Sequence, residues 1–151
     1  VLLQQEGQVE APVHDREGVG PLAADEVPPV GGDLLLSWNS CYYMSLSGPN
    51  FPAHVDEMAR VIKPGGWIVC SIPKRTSFIF KNSVPHEVPG YRVIADDYFN
   101  ARNGEVMRCM ADRADLVETF SPRFEEFCHA DLDMSWFGLD YHWHVFCARR
   151  R

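Results

Sequence analysis

Ala59-Arg60-Val61-Ile62-Lys63-Pro64-Gly65-Gly66-Trp67-Ile68-Val69 is the stretch on which the fold of this chain turns. Before it, Val55, Met58, Ala59 and Ile62 recur at i, i+3, i+4 and i+7, the spacing that lines one face of a helix. Lys63 suits the negative end of such a helix, and Pro64-Gly65-Gly66 is read as its stop. After it, Trp67-Ile68-Val69-Cys70-Ser71-Ile72 is a short apolar run closed by Pro73, which reads as a buried strand. A matching run lies upstream. Asp33-Leu34-Leu35-Leu36-Ser37-Trp38, between Gly31-Gly32 and Asn39-Ser40, alternates too little for a half-exposed strand and reads as one covered on both faces. Strand, helix and strand with short connections predict a βαβ unit, its two strands parallel and its crossover right-handed.

The same logic extends in both directions. Asn50 is placed to cap the helix, after a turn at Ser47-Gly48-Pro49-Asn50, and Pro52 falls in the first turn, where a missing N–H costs nothing. Residues 74–90 read as loop. Tyr91–Ile94 and Glu105–Met110 predict a small hairpin with Asn103-Gly104 in its turn. Asp112 is placed to cap a second helix, with Asp115 near its positive end and Leu116, Val117 and Phe120 on its apolar face. Arg123–His129 and Tyr141–Ala148 predict a final strand pair. From residue 33 to residue 151 the chain is therefore α/β. Residues 1–32 differ: they hold none of the 18 aromatics, nine of the 22 glycines and prolines, and six acids against Arg16 alone. Such a stretch has little apolar surface to offset the entropy of ordering. It reads as a poorly ordered arm, or as the remnant of a strand from a larger sheet.

Composition excludes several classes. Apolar residues at 46% and charged residues at 23% fit a globular chain and rule out wholesale disorder. No apolar run reaches the roughly 18 residues of a membrane span, and the first residues carry no basic, then apolar, secretory pattern. A net charge of −7 argues against binding a phosphate backbone without sequence preference. Cys41, Cys70, Cys109, Cys128 and Cys147 are odd in number and contain no Cys-x-x-Cys pair, which points to a reducing, cytoplasmic setting. The first residue is Val1 rather than Met, as in a processed or incomplete piece.

Taken together, Asp33–Asn39, the helix, and Ala59–Val69 with its Lys-Pro-Gly-Gly turn resemble class I S-adenosylmethionine-dependent methyltransferases, and the trailing helix and strand pair resemble the end of that fold. The resemblance covers roughly residues 33–149. It implies a Rossmann-like sheet of parallel strands with helices plus an antiparallel C-terminal pair, and S-adenosylmethionine as cofactor. The family's grip on that cofactor is a Gly-rich turn after its first strand, and no Gly-x-Gly-x-x-Gly or Gly-x-Gly-x-Gly occurs here. Leu22-Ala23-Ala24-Asp25-Glu26-Val27-Pro28 resembles the family's third strand and would set Asp25 near the adenine; His14-Asp15 is a competing alignment. The chain thus resembles the C-terminal half of such an enzyme.

The resemblance places candidate residues where ligands sit in doubly wound sheets, beyond the carboxyl ends of the strands. Ser37, Trp38 and Asn39 would border the methionine part of the cofactor. Tyr42, Tyr43, Lys74 and Arg75 would face a small-molecule acceptor. No catalytic base is assigned, and Asp96, Asp97 and His86 read as solvated loop residues. No Asn-Pro-Pro-Tyr or Asp-Pro-Pro-Tyr follows the first strand, which argues against a nucleic-acid base as acceptor, and no Pro-Cys nucleophile occurs there. His142 and His144 share a strand face, with Cys128-His129 a conceivable neighbour, but lack a spaced third ligand, so no metal is expected. Arg149-Arg150-Arg151 reads as a solvated tail. The expectation is a methyltransferase fragment, without a full cofactor site. Two alternatives stand beside it: a non-catalytic module that pairs through an exposed sheet edge, and another nucleotide-binding α/β enzyme. Leu34–Leu36 at such an edge predicts self-association.

Overall fold

The computed structural model describes residues 31–44 and 48–151. The arm at 1–32, except its last two glycines, and with it Asp25 and the rival His14-Asp15, lies outside the described residues.

The predicted βαβ unit is present. Strand β1 (Gly32–Ser37) runs parallel to β2 (Ile62–Pro73), joined through helix α1 (Phe51–Arg60), with Leu34 beside Trp67 and Leu35 beside Ile68. Strand β7 (Leu139–Arg150) continues the sheet antiparallel to β2, and β6 (Phe124–Trp136) pairs antiparallel with β7, so the strand order is β1-β2-β7-β6. A second sheet holds β3 (Val84–Pro85), β4 (Tyr91–Val93) and β5 (Val106–Arg108), all antiparallel. Helix α2 (Arg113–Phe120) starts where expected, the Asp112 carboxylate accepting from the Asp115 N–H at 2.9 Å.

Several boundaries fall elsewhere than the sequence suggests, for physical reasons. Helix α1 ends at Arg60, not Lys63, and Arg60 is the basic residue of its last turn. Ile62 keeps its place in the core, but from the start of β2, and Lys63 reaches across to Asp33 at 3.1 Å. Pro64-Gly65-Gly66 is therefore part of a bulge inside a strand rather than a helix stop: between the pairs Gly32–Ile62 and Leu34–Trp67, one residue of β1, Asp33, stands against four of β2, Lys63 to Gly66. The glycines serve different ends. Gly65 sits at φ +78°, in the left-handed region. At Gly66 a Cβ would meet the Asp33 carbonyl oxygen at 2.9 Å, so the backbones approach too closely for any side chain. Asn50 occupies the cap position of α1 without a side-chain cap; the first helical N–H, from Phe51, instead donates to the Tyr91 hydroxyl at 2.8 Å. The 74–90 segment is not pure loop, since Phe78–Phe80 forms a turn of 3-10 helix and Val84–Pro85 is β3. The final pair is also longer than predicted: β6 starts one residue late but runs on to Trp136, and β7 extends past the expected Tyr141–Ala148 at both ends.

Two cores lie on opposite faces of the main sheet. Ile68, Cys70, Phe146 and Ala148 face α1 and α2, meeting Phe51, Val55, Leu116 and Phe120 in one fully buried cluster. The Ile, Val, Leu and Phe side chains of this cluster each contribute roughly 1.5–3 kcal/mol by leaving water. On the other face Trp143 meets Tyr42, Ile79, Phe80, Ile94 and Met107, which fastens the small sheet to the large one. That second core does not extend to β1. Leu34 and Leu36 stand 61% and 62% exposed beside a half-exposed Trp67, so among the described residues β1 is covered on one face and not on both.

Candidate functional site

Strands β1 and β2 end side by side, and their carboxyl ends hold most of the residues singled out from the sequence. Ser37 is buried opposite Cys70, and its hydroxyl lies 3.3 Å from that of Ser40. The next two residues turn outward: Trp38 is 46% exposed, and Asn39 adopts φ +54°. Asparagine tolerates that left-handed conformation better than most residues. Here it is also held from below. The Asn39 N–H donates to the Ser71 hydroxyl at 2.9 Å, and that hydroxyl donates to Asn39 Oδ1 at 3.0 Å. Ser71 is wholly buried in β2. Sequence reasoning passed over it, although a hydroxyl inside an apolar strand must find a partner. Asn39 is exposed at the mouth of the two strands, and its side-chain amide nitrogen, a donor, takes no part in the reciprocal pair.

Behind this edge lies a thiol pair, Cys41 Sγ at 3.5 Å from Cys70 Sγ. The Cys70 hydrogen bond holds the Cys41 pKa below its ordinary value, while the same contact and burial push Cys70 well up. His54, on α1, contacts the Cys41 carbonyl through Nδ1 at 3.2 Å. The segment after β1 is thereby tied to the helix that crosses over it.

The acceptor-side candidates separate. Tyr42 is 2% exposed inside the second core, and burial drives its phenol pKa far upward, so it stays protonated and packs against Tyr43 with ring centroids 4.9 Å apart. Tyr43 is half-buried, bridges to Met107 of β5, and accepts from Arg102 Nε at 3.2 Å. Arg102 in turn pairs with Asp97 at 2.7 Å. Burial works to raise the Asp97 pKa, but the Ala101 N–H and the Arg102 guanidinium outweigh it and hold the carboxyl below its usual range. Asp97 is thus a buried structural anion, not the solvated loop residue that the sequence suggested. Lys74 is committed to β6, with Nζ 3.1 Å from Asp131 and 2.7 Å from Asp133. Arg75 points elsewhere, bonding the Phe80 carbonyl at 3.0 Å and lining a cavity of about 420 Å³ over the small sheet.

His142 and His144 do share a face, but they look onto other partners. His142 Nδ1 lies 3.0 Å from the Thr76 hydroxyl, and His144 Nδ1 is 3.5 Å from Asp131. Cys128 stands opposite Cys147, on the other face. Among the described residues, no group of three or more His, Cys, Asp or Glu side chains could hold a metal. No described helix is long and apolar enough to cross a membrane.

No protein-family model and no curated protein matches the chain. Solved structures do. A SAM-dependent methyltransferase from Methanosarcina mazei superposes with a TM-score of 0.50 at 16% identity, over 80% of this chain and 60% of that one. A SAM-dependent methyltransferase from Thermotoga maritima, described as a possible histamine N-methyltransferase, gives 0.49 at 14% identity, over 79% and 56%. The chain therefore spans less than two thirds of either neighbour. At such identity the likeness speaks to architecture: the chain has a class I methyltransferase-like α/β fold.

Proposed function

We propose that this chain is the C-terminal part of an S-adenosylmethionine-dependent methyltransferase acting on a small-molecule acceptor. The observation that carries this reading is the mouth of β1 and β2, where Asn39 is fixed in a left-handed turn by the buried Ser71. A doubly wound sheet places its ligand at that position. The outward amide of Asn39 and the hydroxyl of Ser40 are donors suited to an amino-acid carboxylate, such as the methionine end of the cofactor. Trp38 beside them offers a flat apolar surface. These residues fit the methionine end alone; Asp25, the candidate for the adenine end, lies outside the described residues. When bound, the cofactor supplies a methyl group on a positively charged sulfur. The task of the protein is then to hold donor and acceptor in line, which can supply much of the rate without a general base. The buried, protonated Tyr42 and the ion-paired Asp97 are unsuited to remove a proton.

The bare face of β1 supports the view that more sheet belongs here. Among the described residues, Leu34, Leu36 and Trp67 form an apolar surface beside a strand edge with no neighbour, and in a doubly wound sheet further helices and strands cover both. The same surface favours a second reading, a non-catalytic module that docks another chain there. Calorimetric titration with S-adenosylhomocysteine separates the two. Binding in the micromolar to millimolar range that weakens with Asn39→Gly supports the cofactor site. No heat at millimolar ligand overturns a cofactor site in this chain and favours the docking module.

A further inference from the structure

Beyond the candidate cofactor edge, the small sheet carries a cavity that holds one of the residues expected on the acceptor side, Arg75. Its walls are Pro85 at the end of β3 and His86 after it, Pro89 to Arg92 entering β4, Cys109 to Ala111 leaving β5, and Arg75, two residues past β2. At about 420 Å³ it falls within the range that accepts a small organic ligand.

Its charge is unusual for this chain. The protein carries a net −7, and most of its described arginines are met by carboxylates: Arg60 by Glu57, Arg102 by Asp97, Arg108 by Asp115, Arg113 by Asp131, Arg123 by Asp56, and Arg149 by Glu125. Among the described residues, the two arginines of the cavity meet no carboxylate: Arg75 bonds the Phe80 carbonyl, and Arg92 bonds the hydroxyl and carbonyl of Ser83. Each contact orients a guanidinium without neutralising it, and part of each donor fork stays unused. The two charges also bear on one another. Burial first, and then Arg75, press the Arg92 pKa below its ordinary value, and both arginines act on the Cys109 thiol. Two like charges held together at a partly desolvated wall favour an anion between them. The remaining walls are largely apolar or aromatic, with Tyr91 edge-on to His86 and a fully buried Met110.

We infer that this cavity binds a small organic anion, its carboxylate or phosphate held between Arg75 and Arg92 and its apolar body against Tyr91, His86 and Met110. Given the reading above, on which this last step rests, the anion is the methyl acceptor. Arg75 follows by two residues the carboxyl end of β2, one of the two strand ends that form the proposed cofactor edge. Lys74, its sequence neighbour, contributes no charge there, since Asp131 and Asp133 consume it.

Binding is testable without the cofactor. Phenyl phosphate, benzoate and neutral benzamide are titrated into the 151-residue chain by calorimetry, with amide shifts followed by NMR. The two anions should bind and move the amides of Gly90, Arg92 and Met110, while benzamide should bind at least about tenfold more weakly, as befits a charge-assisted contact. Arg75→Gln should weaken the anions by about tenfold. It keeps the measurement interpretable if Arg92→Gln disturbs β3 through Ser83. Equal binding of benzamide and the anions, shifts located elsewhere, or full affinity in Arg75→Gln would each overturn the proposal. Absence of phenyl phosphate binding overturns it as well, whatever S-adenosylhomocysteine does. Anion binding without any S-adenosylhomocysteine binding upholds the cavity and removes only its assignment to a methyl acceptor.

Discussion

Ser71 and Asn39 are separated by 32 positions in the chain and by one hydrogen-bonded pair in space. Because Ser71 is fully buried, removing its hydroxyl leaves the Asn39 N–H and Oδ1 without their partner. Ser71→Ala should cost about 1–2 kcal/mol in urea unfolding. Asn39→Gly separates stability from binding: glycine accepts φ +54° without strain, so stability should stay within about 1 kcal/mol of the parent. Affinity for S-adenosylhomocysteine should nevertheless fall. A glycine variant that binds as the parent does would show that the Asn39 amide contributes no contact. Asn39 was legible as a polar residue at a strand end. Its partner was not, because nothing in local sequence tells which distant residue a buried hydroxyl will meet.

At the scale of elements, the β6–β7 hairpin is the clearest case. Its two-residue turn is Phe137-Gly138, at φ +51° and +76°, with Trp136 paired to Leu139. A turn with both central residues left-handed matches the twist of the strands, but it favours Asn-Gly rather than Phe-Gly. Phe137 is 87% exposed, so little packing would be lost on replacement. Phe137→Asn should therefore stabilise the chain by about 0.5–1 kcal/mol, read as a higher urea midpoint. The same hairpin carries a pH response. Burial, and then the charge of Lys74, lower the His144 pKa below its ordinary 6.5 against the opposing pull of Asp131, with Arg113 adding to the lowering. The folded state thus resists a proton that the unfolded chain accepts, so stability is present above about pH 6.5 and declines as pH falls below it. Asp131, lowered first by Lys74 and further by Arg113, adds a separate decline below the ordinary carboxylate range near pH 3.8. Urea midpoints from pH 8 to pH 3 should show both steps, and His144→Gln should remove the upper one only. An unchanged upper step would assign it to another group.

For the molecule as a whole, the exposed apolar face of β1 bears on assembly. Among the described residues, Leu34 and Leu36 lie on an edge strand, with Trp67 beside them, where unpaired backbone and apolar side chains together invite a second chain. Sedimentation velocity of the 151-residue chain should show concentration-dependent association that Leu34→Lys with Leu36→Lys abolishes. Both residues face away from the helical core, so the double variant should fold. A monomer at every concentration in the parent would remove self-association from the account.

The 3.6-residue spacing of Val55, Met58 and Ala59, the apolar runs on either side, and the capping Asp112 are local signals. They settled the parallel strand pair, the helix between and the α/β class, because periodicity and termini depend on near neighbours. Whether Pro64-Gly65-Gly66 ends a helix or bulges a strand, which face of Leu34–Leu36 is covered, and which arginines meet a carboxylate depend on groups distant in sequence. Those were decided by tertiary structure, where packing and charge pairing act across space and chain order carries no information about them.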